Sequence, residues 1–193
     1  MDDPFVAHQI VITENERVAV LPVNPRHEGP LAEMLAESSP EDVRFRCCAA
    51  IKGFPQMMAA RLVYIDPQRE TTLIAQSMDG RDAVLGVVHI VCERKHPQVA
   101  EFDIMVRTDH KGHGLGYRLM QEILCEARRR GLSAVEGFIL RENRAMLLMA
   151  RELGFKPVMA EGDMVCMRAE LSGASSSLSA EVIKRSQETT RRP

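Results

Sequence analysis

VRTDHKGHGLGY, at residues 106–117, joins an apolar run to a long amphipathic segment. The run that ends at Val106 has the composition of a β-strand, and the segment after the loop repeats apolar residues at helical spacing as far as Arg130. Gly112, Gly114 and Gly116 allow the backbone to approach a ligand closely, and the first helical turn offers unpaired N–H groups and a positive dipole end. The stretch therefore predicts a strand–loop–helix unit that binds a diphosphate.

The same residues allow other interpretations of this loop. A glycine-rich loop is also compatible with a simple turn that binds nothing. A P-loop requires Gly-Lys-Ser/Thr at the helix start, but the sequence there is Gly114-Leu115-Gly116-Tyr117. A dinucleotide-binding loop follows an early strand and is followed about 20 residues later by an acidic residue. This loop lies in mid-chain and is followed by Arg128-Arg129-Arg130, so both nucleotide-binding motifs are disfavoured.

The rest of the chain alternates between strand-like and helix-like segments. Ser39 is expected to cap a helix that begins at Pro40 and has an acidic first turn. The expected strands are 18–23, 71–78, 84–92, 101–106 and 134–140, with a closing hairpin of 157–160 and 164–171, and the expected helices are 30–39, 40–48, 114–130, 143–153 and one that starts at Pro55. This order predicts an α/β fold with a mixed sheet.

The composition changes at both ends of the chain. Residues 1–9 are interpreted as an N-terminal tail and residues 10–171 as one domain, a size at which a chain buries a core without disulfides or metals. Residues 172–193 are rich in Ser, Ala, Gln, Thr and Arg, which is typical of a mobile tail, with a short helix expected around 181–185.

Charge and cysteine content limit the classes of function. The net charge is −2, which offers no basic field for nucleic acid or anionic lipid. No run approaches the ~20 apolar residues of a membrane span, so no membrane partner is expected. The five cysteines are an odd number and lie partly in apolar runs, which indicates free thiols in a reducing compartment and hence a cytoplasmic protein. His110 and His113 lack the further ligands of a tetrahedral site, so no metal is expected.

Three segments carry a resemblance to a known family. Lys111-Gly112-His113-Gly114-Leu115-Gly116 resembles the Arg/Gln-x-x-Gly-x-Gly/Ala motif of the GCN5-related N-acetyltransferases (GNATs). Glu142-Asn143-Arg144-Ala145-Met146 and Glu152-Leu153-Gly154-Phe155 are similar to the second conserved segment of that family. The resemblance spans about residues 18–171. It implies a GNAT fold, with a mostly antiparallel mixed sheet and helices on both faces, and an enzyme that moves acetyl from acetyl-CoA to an amine.

A closer resemblance is to the acetyltransferase domain of bacterial protein lysine acetyltransferases that modify acyl-CoA synthetases. Ser39-Pro40-Glu41-Asp42-Val43-Arg44-Phe45-Arg46, Ala83-Val84-Leu85-Gly86-Val87 and Ala100-Glu101-Phe102 carry it. It implies a lysine of such a synthetase as the acceptor. Domains of this family often form homodimers, but nothing in the sequence shows a self-complementary surface.

The resemblance also assigns cofactor contacts. The backbone of Met105 or Val106 is expected to face the thioester, and a bulge near residues 104–106 is expected to splay this strand from the next one. The predicted cofactor-binding residues are Met105, Val106, Lys111, Gly112, His113, Gly114, Leu115, Gly116 and Asn143. Asn143 is also expected to cap the helix that it precedes.

Acetyl transfer requires a base, because a lysine ammonium of pKa about 10.4 must lose a proton before it attacks. Glu101 is the candidate, since the resemblance implies a base in an Ala-Glu-hydrophobic context. In a regular strand Glu101, Asp103 and Met105 point to one side, and the two carboxylates lie about 6.5 Å apart, close enough to raise each other's pKa. Asp103 is the weaker candidate for the base. A further possibility is that Glu101 and Asp103 only line a solvent-exposed face of the strand and take no part in the chemistry.

One residue departs from the family pattern. Many relatives place a tyrosine five residues before the phenylalanine of the Gly-Phe pair, as an acid for the leaving thiolate, but Ala150 occupies that position here. Three functions therefore remain: acetylation of a protein lysine, acetylation of a small amine, and sensing of acyl-CoA without turnover.

Overall fold

The structure is a computed structural model that describes residues 8–13, 16–47 and 55–171. The predicted C-terminal tail, with its helix around 181–185, and most of the predicted N-terminal tail lie outside these ranges. Within them the chain forms β1 (His8–Thr13), β2 (Glu16–Pro22), α1 (Glu28–Glu37), α2 (Pro40–Cys47), α3 (Pro55–Val63), β3 (Glu70–Ser77), β4 (Val84–Cys92), β5 (Val99–Val106), α4 (Leu115–Arg129), β6 (Ala134–Leu140), α5 (Arg144–Glu152), β7 (Lys156–Glu161) and β8 (Met164–Glu170).

The strands form one sheet in the order β1-β2-β3-β4-β5-β6-β8-β7. All neighbouring pairs are antiparallel except β5 and β6, which are parallel and joined through α4. A parallel pair needs such a crossover connection, because the chain must return to the same end of the sheet. The predicted α/β fold with a mixed, mostly antiparallel sheet is confirmed.

Helices cover both faces of this sheet. In β3, Leu73 and Ala75 belong to a core formed with α4 and α5, whereas Ile74 belongs to a second core formed with α1 and α3. This alternation is the two-residue period of a strand, and both faces are apolar because both are covered. The prediction of helices on both faces is therefore confirmed.

The α4 helix shows why its sequence folds as it does. Leu115, Leu119, Met120 and Ile123 are fully buried on one side, as their spacing predicts. Gly114 precedes the helix in the left-handed region at φ 80°, and the chain leaves the helix through Gly131. The expected span of 114–130 differs by one residue at each end from the observed one.

Two details differ from the sequence predictions. The α1 helix begins at Glu28 and not at Pro30, which lies in its first turn, where a missing N–H breaks no intrahelical hydrogen bond. Strand β1 was not predicted, since its residues 8–13 overlap the assumed tail, and it is held by antiparallel pairing with β2. The expected cap on α2 is present, with Ser39 Oγ accepting a hydrogen bond from the Asp42 amide at 3.1 Å.

Candidate active site

The site begins where β5 and β6 separate. β5 pairs with β4 from Ala100 to Val106, but it pairs with β6 only over residues 99–101. No register shift interrupts the β4–β5 pairing, so the bulge expected near residues 104–106 does not appear there, and the split follows from the short parallel pairing. Phe102 packs at the start of the split, where its ring lies over Gly137 and meets Phe155 edge-on, with the ring centroids 5.3 Å apart.

A cavity of about 750 Å³ occupies the split. Its walls include Ile104 and Val106, which face the α4 side of the sheet, and Asp103 and Met105, which face the α1–α3 side. Because side chains of both faces of β5 line it, the cavity passes from one side of the sheet to the other. The remaining lining residues are Asp42, Phe45, Phe102, His110, Lys111, Gly112, Gly114, Leu115, Gly116, Tyr117, Phe138, Ile139, Asn143, Ala145, Met146, Leu148, Met149 and Glu152.

Most predicted cofactor residues meet at this cavity. Met105, Val106, Lys111, Gly112, Gly114, Leu115, Gly116 and Asn143 line it, whereas His113 and Glu101 do not. The loop and α5 segments are brought together from positions about 30 residues apart, so the structure unites the two motif regions that the sequence singled out.

The glycine loop has the form of an anion site. Gly112 and Gly114 adopt φ values of 79° and 80°, which residues with a side chain rarely adopt, and the space beside each is open. Within the described part of the chain, the amides of Gly112, His113 and Gly114 have no hydrogen-bond partner. The first amides of α4 add to this set, since they have no partner inside a helix. These groups fit the diphosphate of a coenzyme A.

Lys111 has a partner that the sequence did not reveal. Its ammonium forms an ion pair with Asp42 in α2, and Thr108 Oγ1 donates a hydrogen bond of 2.7 Å to the same carboxylate. Burial of Asp42 opposes its ionisation, but the hydrogen bonds from Lys111, Thr108 and Ser39 lower its pKa below the usual value. Asp42 thus ties α2 to the glycine loop, and the predicted contact of Lys111 with phosphate competes with this pair.

The second motif region is tied to the same helix, α2, by the next turn of its side chains. Arg44 in α2 pairs with Glu142, which precedes Asn143. Asn143 Oδ1 accepts a hydrogen bond from the Met146 amide at 3.1 Å, so the predicted capping role is confirmed. Helix α2 therefore bridges the mouth of the cavity from the loop to the start of α5.

Glu101 lies beside the cavity on the same side of β5 as Asp103. Although part of its surface is exposed, burial raises the pKa of its carboxyl, and the negative charges of Asp103, Glu136 and Glu93 raise it further. His89 opposes this shift. A carboxyl with a raised pKa is a better proton acceptor once ionised, which is the property that a general base needs.

Asp103 belongs to a row of polar side chains that crosses the sheet. His89 Nδ1 lies 3.2 Å from Asp103 Oδ2, and His89 Nε2 lies 3.1 Å from Glu70 Oε2. Arg61 in α3 pairs with Glu70 at 2.5 Å. The sequence offered no signal for this row of polar residues, because a single histidine in the apolar run of β4 is usually a core residue.

No general acid stands at the position that many relatives use. Ala150 is fully buried in the core and carries no proton. Tyr117 lines the cavity, whereas Tyr64 is exposed and donates a hydrogen bond to Glu28. Tyr117 is thus the one tyrosine of the chain at the site.

The sequence matches the model of the acetyltransferase (GNAT) family over residues 41–155, which is more than half of the chain. The chain belongs to the GNAT family. The predicted enzyme class, a GNAT N-acetyltransferase, is confirmed by this membership. The match contains the glycine loop, α4, α5 and the split strands, so the family assignment and the cavity concern the same part of the protein.

Solved structures of other GNAT proteins share the fold. The GNAT domain of Streptomyces lividans PAT superposes with a TM-score of 0.77 at 18% identity, covering 86% of this chain and 97% of that one. Spermidine N-acetyltransferase from Vibrio cholerae, in complex with CoA and spermine, gives 0.64 at 14% identity, covering 80% and 96%. The yncA protein of Salmonella typhimurium, with its cofactor acetyl-CoA, gives 0.64 at 18% identity, covering 82% and 96%.

In residues 8–13, 16–47 and 55–171, no helix is both long and apolar enough to cross a membrane. The same part of the chain contains no group of three or more His, Cys, Asp or Glu residues arranged to hold a metal ion.

Proposed function

We propose that this GNAT protein transfers acetyl from acetyl-CoA to an amine, most directly the side-chain amine of a protein lysine. The observation that carries the proposal is a cavity that crosses the sheet at the β5–β6 split. It has unpaired loop amides on the α4 side and the carboxylate of Asp103 on the α1–α3 side. Acetyl-CoA supplies the activated acetyl thioester when bound. The amides of residues 112–116 would hold its diphosphate, and the backbone of Met105 and Val106 would face the acyl end.

Glu101 would serve as the general base. It would accept a proton from the acceptor ammonium, after which the amine nitrogen would bond to the acetyl carbon. As the carbon–sulfur bond breaks, the second proton of this nitrogen would pass to the departing sulfur or to water, which leaves the amide and CoA. Glu101 lies next to the cavity and not in its wall, so the proton would travel through a bridging water. Asp103, which is in the wall, lies two residues away, and two residues along a strand span about 6.5 Å, which leaves room for one water molecule. A thiolate leaves readily near neutral pH, so the absence of a tyrosine at residue 150 is tolerable.

The choice of a protein lysine, on an acyl-CoA synthetase, rests on the resemblance of residues 39–46, 83–87 and 100–102. A small amine is the second candidate, because spermidine N-acetyltransferase shares this fold. A non-catalytic acyl-CoA sensor is the third, and the buried Ala150 is the observation that favours it. We place the reaction in the cytoplasm, in keeping with the free thiols of Cys92, Cys125 and Cys166.

The test is a transfer assay with labelled acetyl-CoA and a panel of acceptors. The panel contains an acyl-CoA synthetase, a lysine peptide, spermidine and simple amines. We expect label on the synthetase. Preferential labelling of spermidine would establish the small-amine function, and tight acetyl-CoA binding with no labelled acceptor would establish the sensor.

Glu101→Gln tests the base. We expect it to keep acetyl-CoA affinity and to lose turnover by about 10²–10⁴-fold, the usual contribution of a positioned base. Glu93→Gln is the matched control, since Glu93 is an exposed carboxylate whose charge reaches Glu101. Equal rates in the Glu101 variant and the wild type would remove Glu101 from the mechanism.

A further inference from the structure

A buried row of polar side chains runs across the sheet beneath α1 and α3. His89, in the apolar strand β4, is only 5% exposed, and its neighbours Ile90 and Val88 are fully buried. Its partner across the β4–β5 pairing is Asp103, and its partner across the β3–β4 pairing is Thr72. Polar groups at such a position lower stability unless they are hydrogen-bonded. The contacts that these side chains make with one another therefore need a role.

Both ring nitrogens of His89 face carboxylates. Nε2 meets Glu70 and Nδ1 meets Asp103, at 3.1 and 3.2 Å. Each ring nitrogen therefore lies within hydrogen-bonding distance of a carboxylate oxygen. Burial opposes ionisation of Glu70, but hydrogen bonds from Arg61 and His89 lower its pKa. The contact with Glu70 therefore anchors the ring with Nδ1 towards Asp103.

Asp103 is the member of this row that lines the cavity. Its side chain is 32% accessible, compared with 6% for His89 and 7% for Glu70. It lies in the cavity wall on the α1–α3 side, opposite the glycine loop, and next to Met105. A molecule that approaches the split from this side, while coenzyme A occupies the α4 side, passes this carboxylate.

We propose that Asp103 binds the acceptor amine in its charged form and that His89, anchored by Glu70, is the positioning residue that holds Asp103. This inference rests on the proposed function and deepens it by naming the group that selects the acceptor. Asp103 holds the ammonium by a charge-assisted hydrogen bond, and Glu101 takes the proton, so the two carboxylates have different tasks. The site then prefers a cationic amine, such as a lysine side chain or a polyamine, over an amine that is neutral at pH 7.

Asp103→Asn removes the charge and keeps the shape. With spermidine and with a lysine peptide as acceptors, we expect a rise in the acceptor KM of about 10- to 100-fold, the range that a hydrogen bond to a charged group supplies. The kcat should stay close to that of the wild type, and so should the KM for acetyl-CoA. With aniline, which is neutral at pH 7, the variant and the wild type should have the same KM. Asp103→Glu should restore part of the loss.

His89→Gln tests the positioning role. We expect a smaller rise in the same KM, and no additional rise when it is combined with Asp103→Asn, because both changes remove one interaction. His89→Asn serves as the second variant if the first does not fold, and thermal unfolding of each variant checks this. Asp163→Asn is the matched control, since Asp163 is exposed in the turn between β7 and β8.

The outcomes separate this inference from the proposed function. A loss of kcat with an unchanged KM would make Asp103 the base and overturn the inference, and an unchanged KM and kcat would reduce Asp103 to a structural role. Equilibrium binding of spermidine and of the peptide gives a second readout. Binding that depends on Asp103 without any acetylation contradicts the proposed function and supports the inference, whereas acetylation whose KM does not depend on Asp103 does the reverse. Absence of binding and of turnover contradicts both.

Discussion

Gly137→Ala should damage the site from a position that touches no ligand. Gly137 is buried in β6, opposite the ring of Phe102, at the point where β5 and β6 separate. A Cβ atom at this position would lie 2.4 Å from Phe102 Cε1 and 2.7 Å from Cζ. Carbon atoms in contact are normally about 3.5–4.0 Å apart, so the ring has to move by about 1 Å or more. The ring also meets Phe155 and lines the cavity, so its displacement disturbs both.

The expected cost is that of inserting one methyl group into a filled core. Such overpacking lowers the free energy of unfolding by about 1–3 kcal/mol. The disturbed edge-on contact with Phe155 accounts for about 0.5–1.5 kcal/mol of this total. For a domain of this size each kcal/mol lowers Tm by about 2–4 °C, which predicts a fall of roughly 2–12 °C. Because this ring lines the cavity, the affinity for acetyl-CoA should fall as well.

Thermal unfolding and calorimetric titration with acetyl-CoA measure the two effects. Gly29→Ala is the matched control, because Gly29 lies in α1 with open space around its Cβ position, so the same change should not lower Tm. Phe102→Leu should relieve the strain, so that the double variant loses less stability than the sum of the single variants. An unchanged Tm and affinity in Gly137→Ala, or additive losses in the double variant, would refute this account of the split.

Three further predictions concern the residues around the cavity. Asp42→Asn should lower the free energy of unfolding at pH 7 by about 1–3 kcal/mol, because buried Asp42 then loses its charged contacts. The pKa of Asp42 is lowered in the folded state, so its contribution to the free energy of unfolding is fully present above the ordinary pKa of 3.8. The contribution is lost as the pH falls through the pKa of the folded state. The denaturation curves of the variant and the wild type should therefore converge in acid. Asn143→Ala should cost about 0.5–2 kcal/mol through the lost helix cap, and a weaker acetyl-CoA affinity beyond that would establish the proposed cofactor contact. The rate of acetyl transfer should rise with pH through the raised pKa of Glu101, and Asp103→Asn should move this inflection to lower pH; an inflection that does not move would exclude their coupling.

The parts of this protein that were predicted correctly depend on local sequence. Strand β4 and strand β6 have the predicted bounds, and α4 differs by one residue at each end. Each is bounded by glycine or turn residues and has a regular apolar period, which are signals that act over a few residues. Strand β1, which pairs with β2, was missed although its residues Ile10-Val11-Ile12-Thr13 are β-branched and favour a strand.

The residues of the site also fall into those with a local sequence signal and those that only the tertiary structure brings together. The glycine loop and Asn143 were identified because their chemistry is carried by adjacent residues. Gly112, Gly114, Gly116 and Asn143 line the cavity, and their contact with a cofactor stays a prediction. Asp42 and Lys111, in contrast, are 69 residues apart in the sequence. Their ion pair competes with the contact between the Lys111 ammonium and phosphate that the sequence suggested. The row of Glu70, His89 and Asp103 joins three strands, so no window of sequence contains it.

By itself, the sequence determined that a strand, a glycine loop and an amphipathic helix follow one another, because dihedral preferences and apolar periodicity operate within each segment. The tertiary structure decided that β5 leaves β6 after residue 101, that a cavity crosses the sheet there, and that Asp103 and not Glu101 lies in its wall. These features depend on register and on which strands become neighbours, and both follow from the packing of the whole domain.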